Sequence, residues 1–262
     1  MHDSDDRSTA EAEGECHPTP SRKLDSVPCH GISGSGRRVA LDRRVIVTGG
    51  SRGLGLSIAQ QLTTNGWQVG IVARDGEAVA AALRCGAAVS GVSADLVDPI
   101  AAGSAIEQLA HQLGGLDALV NNAGKVLRSR FDELDPEQFR AVIEQNLLSA
   151  VHATMAALPH LRQSGGGSLV QISSISGTQP LPGGSAYAAA KHGLVGWSRS
   201  IFHEFRDEGI RVSLVHPGSI ESGGSPGVPA KEVAQVVAGI LQAPEGTLIG
   251  EVEVRPLQAP QS

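Results

Sequence analysis

Arg44-Val45-Ile46-Val47-Thr48-Gly49-Gly50-Ser51-Arg52-Gly53-Leu54-Gly55 is the stretch that decides the fold: an apolar run, a glycine-rich turn and the opening of a helix, in that order. A short β-branched run that ends in glycines reads as a strand entering a tight turn. Glycines there let the main chain approach a pyrophosphate, and the N-terminus of the following helix points partial positive charge at it. Elsewhere a glycine cluster is an ordinary loop. Between a strand and a helix, in the first βαβ unit, it marks a dinucleotide site.

Outward from that turn the pattern alternates. Apolar strand-like runs fall at 44 to 48, 68 to 73, 87 to 93, 116 to 121, 168 to 173, 210 to 215 and 248 to 254, separated by longer helical stretches. Such alternation implies right-handed crossovers and a parallel sheet covered on both faces. The expected fold is α/β: one Rossmann-like, doubly wound parallel sheet of about seven strands in a single domain over 43–257. A composition of 40% hydrophobic but only 3% aromatic residues suits close helix-on-sheet packing. Residues 1–42 carry Ser, Thr, Pro, Gly and acids with almost no apolar periodicity, so they are expected to stay disordered or loosely draped. Residues 258–262 form a C-terminal tail.

Charge and cysteine usage exclude several functions. The formal charge is −6, but Asp3, Asp5, Asp6, Glu11, Glu13 and Glu15 against Arg7 account for most of it, which leaves the domain near neutral and too little basic for nucleic acid. No run approaches a membrane span, and the N-terminus lacks the basic-then-apolar order of a signal peptide, so a cytoplasmic protein is expected. Cys16, Cys29 and Cys85 are too few for a disulfide framework. Cys16-His17 and Cys29-His30 match none of the usual zinc spacings, and no metal is expected.

The chemistry is carried further along. Tyr187, the only tyrosine, precedes Lys191 by four residues and follows Ser174 by thirteen, in the helix-forming run Ser-Ala-Tyr-Ala-Ala-Ala-Lys-His-Gly. Residues i and i+4 share one helix face, which brings the ammonium near the phenol. A cationic neighbour favours the phenolate and turns a group that ionises near pH ~10 into an acid and base usable near neutrality. On an ordinary amphipathic helix the same spacing means only a half-buried Tyr and a solvated Lys.

Together these motifs resemble the short-chain dehydrogenase/reductase family in its short single-domain branch. The TGxxxGxG turn, Asn121-Asn122-Ala123-Gly124 after the fourth strand, Asn146 in the next helix, Ser174, Tyr187 and Lys191 after the fifth, and Pro217-Gly218 closing the sixth stand in the family's order. The resemblance implies hydride transfer between a nicotinamide cofactor and a carbonyl or secondary alcohol substrate. By carry-over, Ser174 polarises the substrate oxygen and Tyr187 is the general acid or base. Lys191 lowers the phenol and holds the nicotinamide ribose, and Asn146 binds a water linking Lys191 to solvent. Cofactor contacts are expected from Thr48, Gly49, Ser51, Arg52, Gly53, Leu54, Gly55, Arg74, Asp95, Leu96, Asn122, Ala123, Gly124, Tyr187, Lys191, Pro217, Gly218, Ile220 and Ser222. Ser173 is the decoy beside Ser174, and His216 reads as structural because Tyr187 already fills the role of base.

Charge argues which nicotinamide. The second strand ends Ile71-Val72-Ala73-Arg74-Asp75, with Ala73 where NAD-preferring relatives place an acid. Arg74 and Arg52 are placed to meet a 2′-phosphate, so NADP(H) is expected over NAD(H), with Asp75 the dissenting residue. Lys125, Arg128 and Arg130 form a basic stretch near the expected cleft, either a solvated loop or a contact for an anionic substrate. Helices at 135 to 163 and 184 to 208 resemble the family's subunit interface, which implies a homodimer or homotetramer. The alternative function is a catalytically silent nicotinamide-binding regulator or scaffold on the same fold.

Overall fold

The computed structural model describes residues 43–221 and 226–257. The expectations for the N-terminal extension, its Cys-His pairs, Ser222 and the C-terminal tail lie outside the described residues. Seven strands form one parallel sheet in the order β3-β2-β1-β4-β5-β6-β7. They are β1 (Arg44–Thr48), β2 (Gln68–Ala73), β3 (Ser90–Ser93), β4 (Ala118–Asn121), β5 (Gly167–Ile172), β6 (Ile210–Pro217) and β7 (Glu251–Val254). The order reverses between β1 and β4, and in such a sheet the crevice beyond the carboxyl ends of those two strands is where ligands bind.

The central strands are apolar on both faces because both are covered. Val45, Val47, Val69 and Ile71 pack with Ile58, Leu62 and Val79, which lie on helices α1 (Gly53–Thr64) and α2 (Gly76–Arg84), and with Val237 of α7 (Ala230–Leu241). The alternate residues Ile46, Val72, Leu119 and Leu169 pack with Ile106, Ala157 and Ile201 of α3 (Pro99–Leu113), α5 (Ser149–Gln163) and α6 (Ser185–Phe205). This period-two division between two helical layers is what a doubly wound sheet requires.

The strand and helix expectations differ from the structure mainly at their edges. β3 begins at Ser90 rather than at 87, because Ala87 still closes the preceding helix through its N–H to Ala82 O (3.0 Å). The segment expected as one helix from 135 to 163 is α4 (Pro136–Ile143), a π-turn over Glu144–Leu148, and α5. α4 starts sharply because Asp135 caps it, accepting from Glu137 N (2.7 Å) while the Gln138 side chain takes the Asp135 N–H (3.2 Å). Beyond β6 the short link is tied down by a bridge between Ile220 and Val228. No described helix is long and apolar enough to cross a membrane.

Candidate active site

The glycine turn folds as it does because side chains at two positions would not fit. Gly49 has φ +64°, and a Cβ at Gly55 would collide with the Gly49 carbonyl oxygen. Beneath the turn Thr48, 1% exposed, accepts from Asn122 N (2.9 Å) and Ala123 N (3.0 Å), while Asn122 Nδ2 donates to Thr48 O (2.9 Å). These bonds pin the ends of β1 and β4 together below the crevice, so Thr48 serves the turn from underneath.

Above them lies a cleft of about 300 Å³. Its walls include Gly49, Ser51, Arg52, Leu54, Gly55, Arg74, Asp95, Leu96, Asn122, Ala123 and Gly124, all expected from the sequence. Gly53 also belongs to the turn, with φ +53° and open space around its Cα. Val72, Ala94, Val97, Gln145 and Ser149 line the cleft too, although sequence reasoning did not single them out. Val72 and Ala94 are apolar residues at strand ends. Gln145 precedes Asn146 on the π-turn and Ser149 opens α5 directly after it, so the wider spacing of the turn aims more than one residue at the cleft.

The cleft has the donors a dinucleotide needs. α2, α3 and α4 are each capped by an aspartate, Asp75, Asp98 and Asp135, whereas α1 has no side-chain cap at Arg52, so its first-turn N–H groups face the cleft uncapped. Asp75, which also lines the cleft, caps α2, its Oδ1 accepting from Ala78 N (3.0 Å). Arg52 and Arg74 are exposed, and neither forms an ion pair among the described residues. Asp95 does not cap a helix: Asp98 does that for α3, and Asp95 Oδ1 accepts from Val97 N (3.1 Å) in the bend below the cleft.

The reacting groups stand next to this cleft. Tyr187, on the first turn of α6, is 8% exposed and packs with Val142 and Ala186, with Leu127, Phe139 and Leu181 around them. The Ser174 side chain is the polar group that acts on its phenol, in the direction that favours the phenolate. Ser174 caps a short 3-10 turn, its Oγ accepting from Ser176 N (3.1 Å). Ser173, by contrast, is buried with no partner for its hydroxyl.

One turn further, Lys191 is 3% exposed, and its Nζ donates to Ile172 O (2.8 Å) and lies 5.7 Å from the Tyr187 ring centre. A Cβ at Gly124 would lie 3.8 Å from that Nζ, so Gly124 joins the cleft to the reacting end. Burial pulls Lys191 down to about 8. Burial also pushes the Tyr187 phenol above its ordinary value, opposed by the Ser174 side chain. The lowered phenol expected from the Tyr-Lys spacing is thus not what the protein alone produces: burial raises it, and the group that opposes the rise is Ser174.

Asn146, 1% exposed, is fully engaged by main chain. Its Oδ1 accepts from Lys125 N (3.0 Å), and its Nδ2 donates to Lys125 O (3.0 Å) and Val142 O (2.9 Å). The basic stretch beyond divides: Arg130 pairs with Asp132 (2.9 Å), Arg128 reaches Pro182 O (3.4 Å), and Lys125 is exposed. Pro217 and Gly218 end β6 beside β7, Gly218 N donating to Val254 O (2.8 Å), and Ile220 lies in the bridge to Val228. His216 is 4% exposed. Among the described residues no cluster of His, Cys, Asp or Glu is arranged to hold a metal ion.

The family model described as short chain dehydrogenase matches residues 43–232. The 3-oxoacyl-[acyl-carrier-protein] reductase FabG of Escherichia coli K12 is 33% identical over 210 residues, spanning 80% of this chain and 85% of that protein. The 3-oxoacyl-[acyl-carrier-protein] reductase MabA of Mycobacterium avium is 33% identical over 187 residues, 71% of each chain. Among solved structures, a metagenomic short-chain oxidoreductase in complex with NADP superposes with a TM-score of 0.75 at 31% identity, covering 84% of this chain and 99% of that one. A variant of actinorhodin polyketide ketoreductase with NADPH gives 0.76 at 27% identity, covering 81% and 95%.

Proposed function

The chain belongs to the short chain dehydrogenase family, and on that footing we propose that it is an NADP(H)-dependent ketone reductase, reversible toward secondary alcohols. One observation carries this reading: the sole tyrosine, with Ser174 acting on its phenol, stands one helical turn from a buried lysine whose Nζ comes close to Gly124 of the cleft wall.

The nicotinamide cofactor supplies or takes up the hydride when bound. The rest is the work of the chain. The Ser174 hydroxyl donates to the substrate carbonyl oxygen and stabilises the charge that develops there. Tyr187 gives its phenolic proton to the same oxygen, and in the oxidative direction the phenolate takes the alcohol proton. Lys191, still mostly charged at neutral pH with its value at about 8, favours that phenolate and reaches for the ribose hydroxyls. Asn146 fixes the loop after Gly124 through its amide, which bonds the main chain of Lys125.

Arg52 and Arg74 support NADP(H): two guanidinium groups lie at the adenosine end of the cleft beside Ala73, while Asp75, also on the cleft wall, accepts from Ala78 N through Oδ1 as the cap of α2. The ligands named with the NADP and NADPH relatives agree with this choice. The same reading includes a cytoplasmic homodimer or homotetramer through α5 and α6, near which Leu148 and Met155 are 37% and 66% exposed. Light scattering that returned one chain per particle would reject the oligomer. A screen of ketones and secondary alcohols, followed by the absorbance of the reduced nicotinamide, tests the activity. At least one ketone is expected to consume NADPH faster than NADH, and a preference for NADH would reject the cofactor assignment.

A further inference from the structure

Behind Ser174 the fold places a histidine that the proton transfer does not use. His216 Nδ1 lies 3.3 Å from the main-chain oxygen of Ser174. A carbonyl only accepts, so that nitrogen carries the hydrogen and donates it. On the other side Nε2 stands 3.6 Å from Glu251 Oε2, and Glu251 is held in a fork by Arg199 of α6, with Nε to Oε1 at 2.7 Å and the second nitrogen to Oε2 at 3.0 Å. A line of side chains therefore runs from α6, which carries Tyr187 and Lys191, through the edge strand β7 and the ring on β6, to the main chain of Ser174.

We propose that His216 is a positioning residue: its Nδ1–H ties the Ser174 main chain to β6 and so aims the Ser174 hydroxyl at Tyr187 and at the substrate oxygen. This rests on the reading of Ser174 given above. The tie has work to do because the segment is otherwise lightly held. The last ladder bond before it is Ser173 N to Val215 O (2.8 Å), and among the described residues the Ser174 carbonyl otherwise accepts only locally, from Gly177 N (2.9 Å), which closes the turn without attaching it to the sheet. Both ring nitrogens face groups other than the reacting ones, so the ring acts through Ser174. A displacement of about 1 Å in a catalytic group costs on the order of 10²-fold in rate, which is the scale of effect such a tie controls.

Two substitutions separate aiming from packing. Asn at 216 presents an amide N–H where Nδ1–H stood, and Leu fills much of the ring's space with no donor. The first measurement needs no substrate. Tyr187 is the only tyrosine, so the absorbance of ionised phenol reports this one residue. The Ser174 side chain acts on this phenol in the direction that lowers its titration, so His216→Leu should move the midpoint upward while His216→Asn leaves it near wild type.

The second measurement is turnover of ethyl acetoacetate with NADPH. For His216→Leu a kcat lower by roughly 10- to 100-fold with NADPH affinity within about twofold is expected, and His216→Asn should restore most of the loss. If His216→Leu does not fold, His216→Gln, whose amide reaches toward Glu251 instead, takes its place in both measurements. A donor-less variant that titrates and turns over like wild type overturns the proposal. So does a His216→Asn variant as impaired as the donor-less one. Should wild type reduce no carbonyl, the proposed function falls, and the phenol titration alone decides the role of His216.

Discussion

Lys191 Nζ lies 5.7 Å from the centre of the Tyr187 ring while donating to the Ile172 carbonyl at 2.8 Å, so the cation is buried beside the phenol rather than bonded to it. Burial sets both groups, pulling Lys191 down to about 8 and pushing Tyr187 up. Near neutral pH the lysine is therefore charged and the phenol protonated, the pair of states that reduction requires.

The pH profile of ketone reduction follows from this. As pH rises through about 8, Lys191 loses its charge and with it the attraction that stabilises the phenolate left by proton transfer. The rate constant kcat/KM for reduction should be flat below that point and fall above it. A profile that keeps rising to pH 10 would contradict the assignment.

The same burial predicts a trade between stability and activity. Lys191 titrates at about 8 when folded against 10.5 for the free side chain. Below pH 8 both states hold the proton and the full cost of burying the charge is present. Between 8 and 10.5 only the unfolded chain holds it, so stability rises with pH there. That cost is about 3 kcal/mol, and removing the ammonium also forfeits its bond to Ile172, worth roughly 1 kcal/mol. Lys191→Met should therefore abolish turnover yet melt about 4 to 8 °C higher at pH 7, and its stability should not share the wild-type rise above pH 8. Differential scanning calorimetry at three pH values checks it, and a lower melting temperature at pH 7 would show that the ammonium is better compensated than its surroundings indicate.

Arg52→Ala and Arg74→Ala each remove one candidate partner of the 2′-phosphate. Losing a charged hydrogen bond costs about 1.5 to 3 kcal/mol, so NADPH affinity should weaken about tenfold or more in each while NADH affinity barely moves. Fluorescence titration of both cofactors decides. Equal losses for the two would place the arginines on the shared part of the dinucleotide.

Tyr187→Phe keeps the ring that packs against Val142 and Ala186 and removes the ionisable hydroxyl. NADPH binding should stay near wild type and turnover should drop by ~10³-fold or more. Residual activity within tenfold would remove Tyr187 from proton transfer.

Much of this was legible because the deciding signals are local. β1 and β2 fall on their expected residues, since a strand apolar on both faces and bounded by a glycine turn has little freedom of boundary. The cleft residues of the glycine turn and of Asn122 to Gly124 could be placed because each follows a strand directly. What escaped depends on distant pairing or on geometry without a sequence mark. The π-turn at Glu144–Leu148 shifts Gln145 and Ser149 into the cleft, and no periodicity announces it. The direction of the Tyr187 shift could not be had from spacing, because i+4 sets a neighbour but not the depth of burial. His216 and Glu251 meet only because β7 adds to the edge of β6, as the pairing of Leu214 with Glu251 records.

The most direct test of the central claim is a single turnover with NADPH deuterated at the transferable C4 position and a ketone from the screen, followed by mass spectrometry of the alcohol. The account predicts one deuterium on the carbinol carbon with wild-type protein and almost none with Tyr187→Phe in the same time. Protein that binds NADPH but transfers no deuterium to any ketone would contradict it, and would point instead to a silent nicotinamide-binding regulator on the same fold.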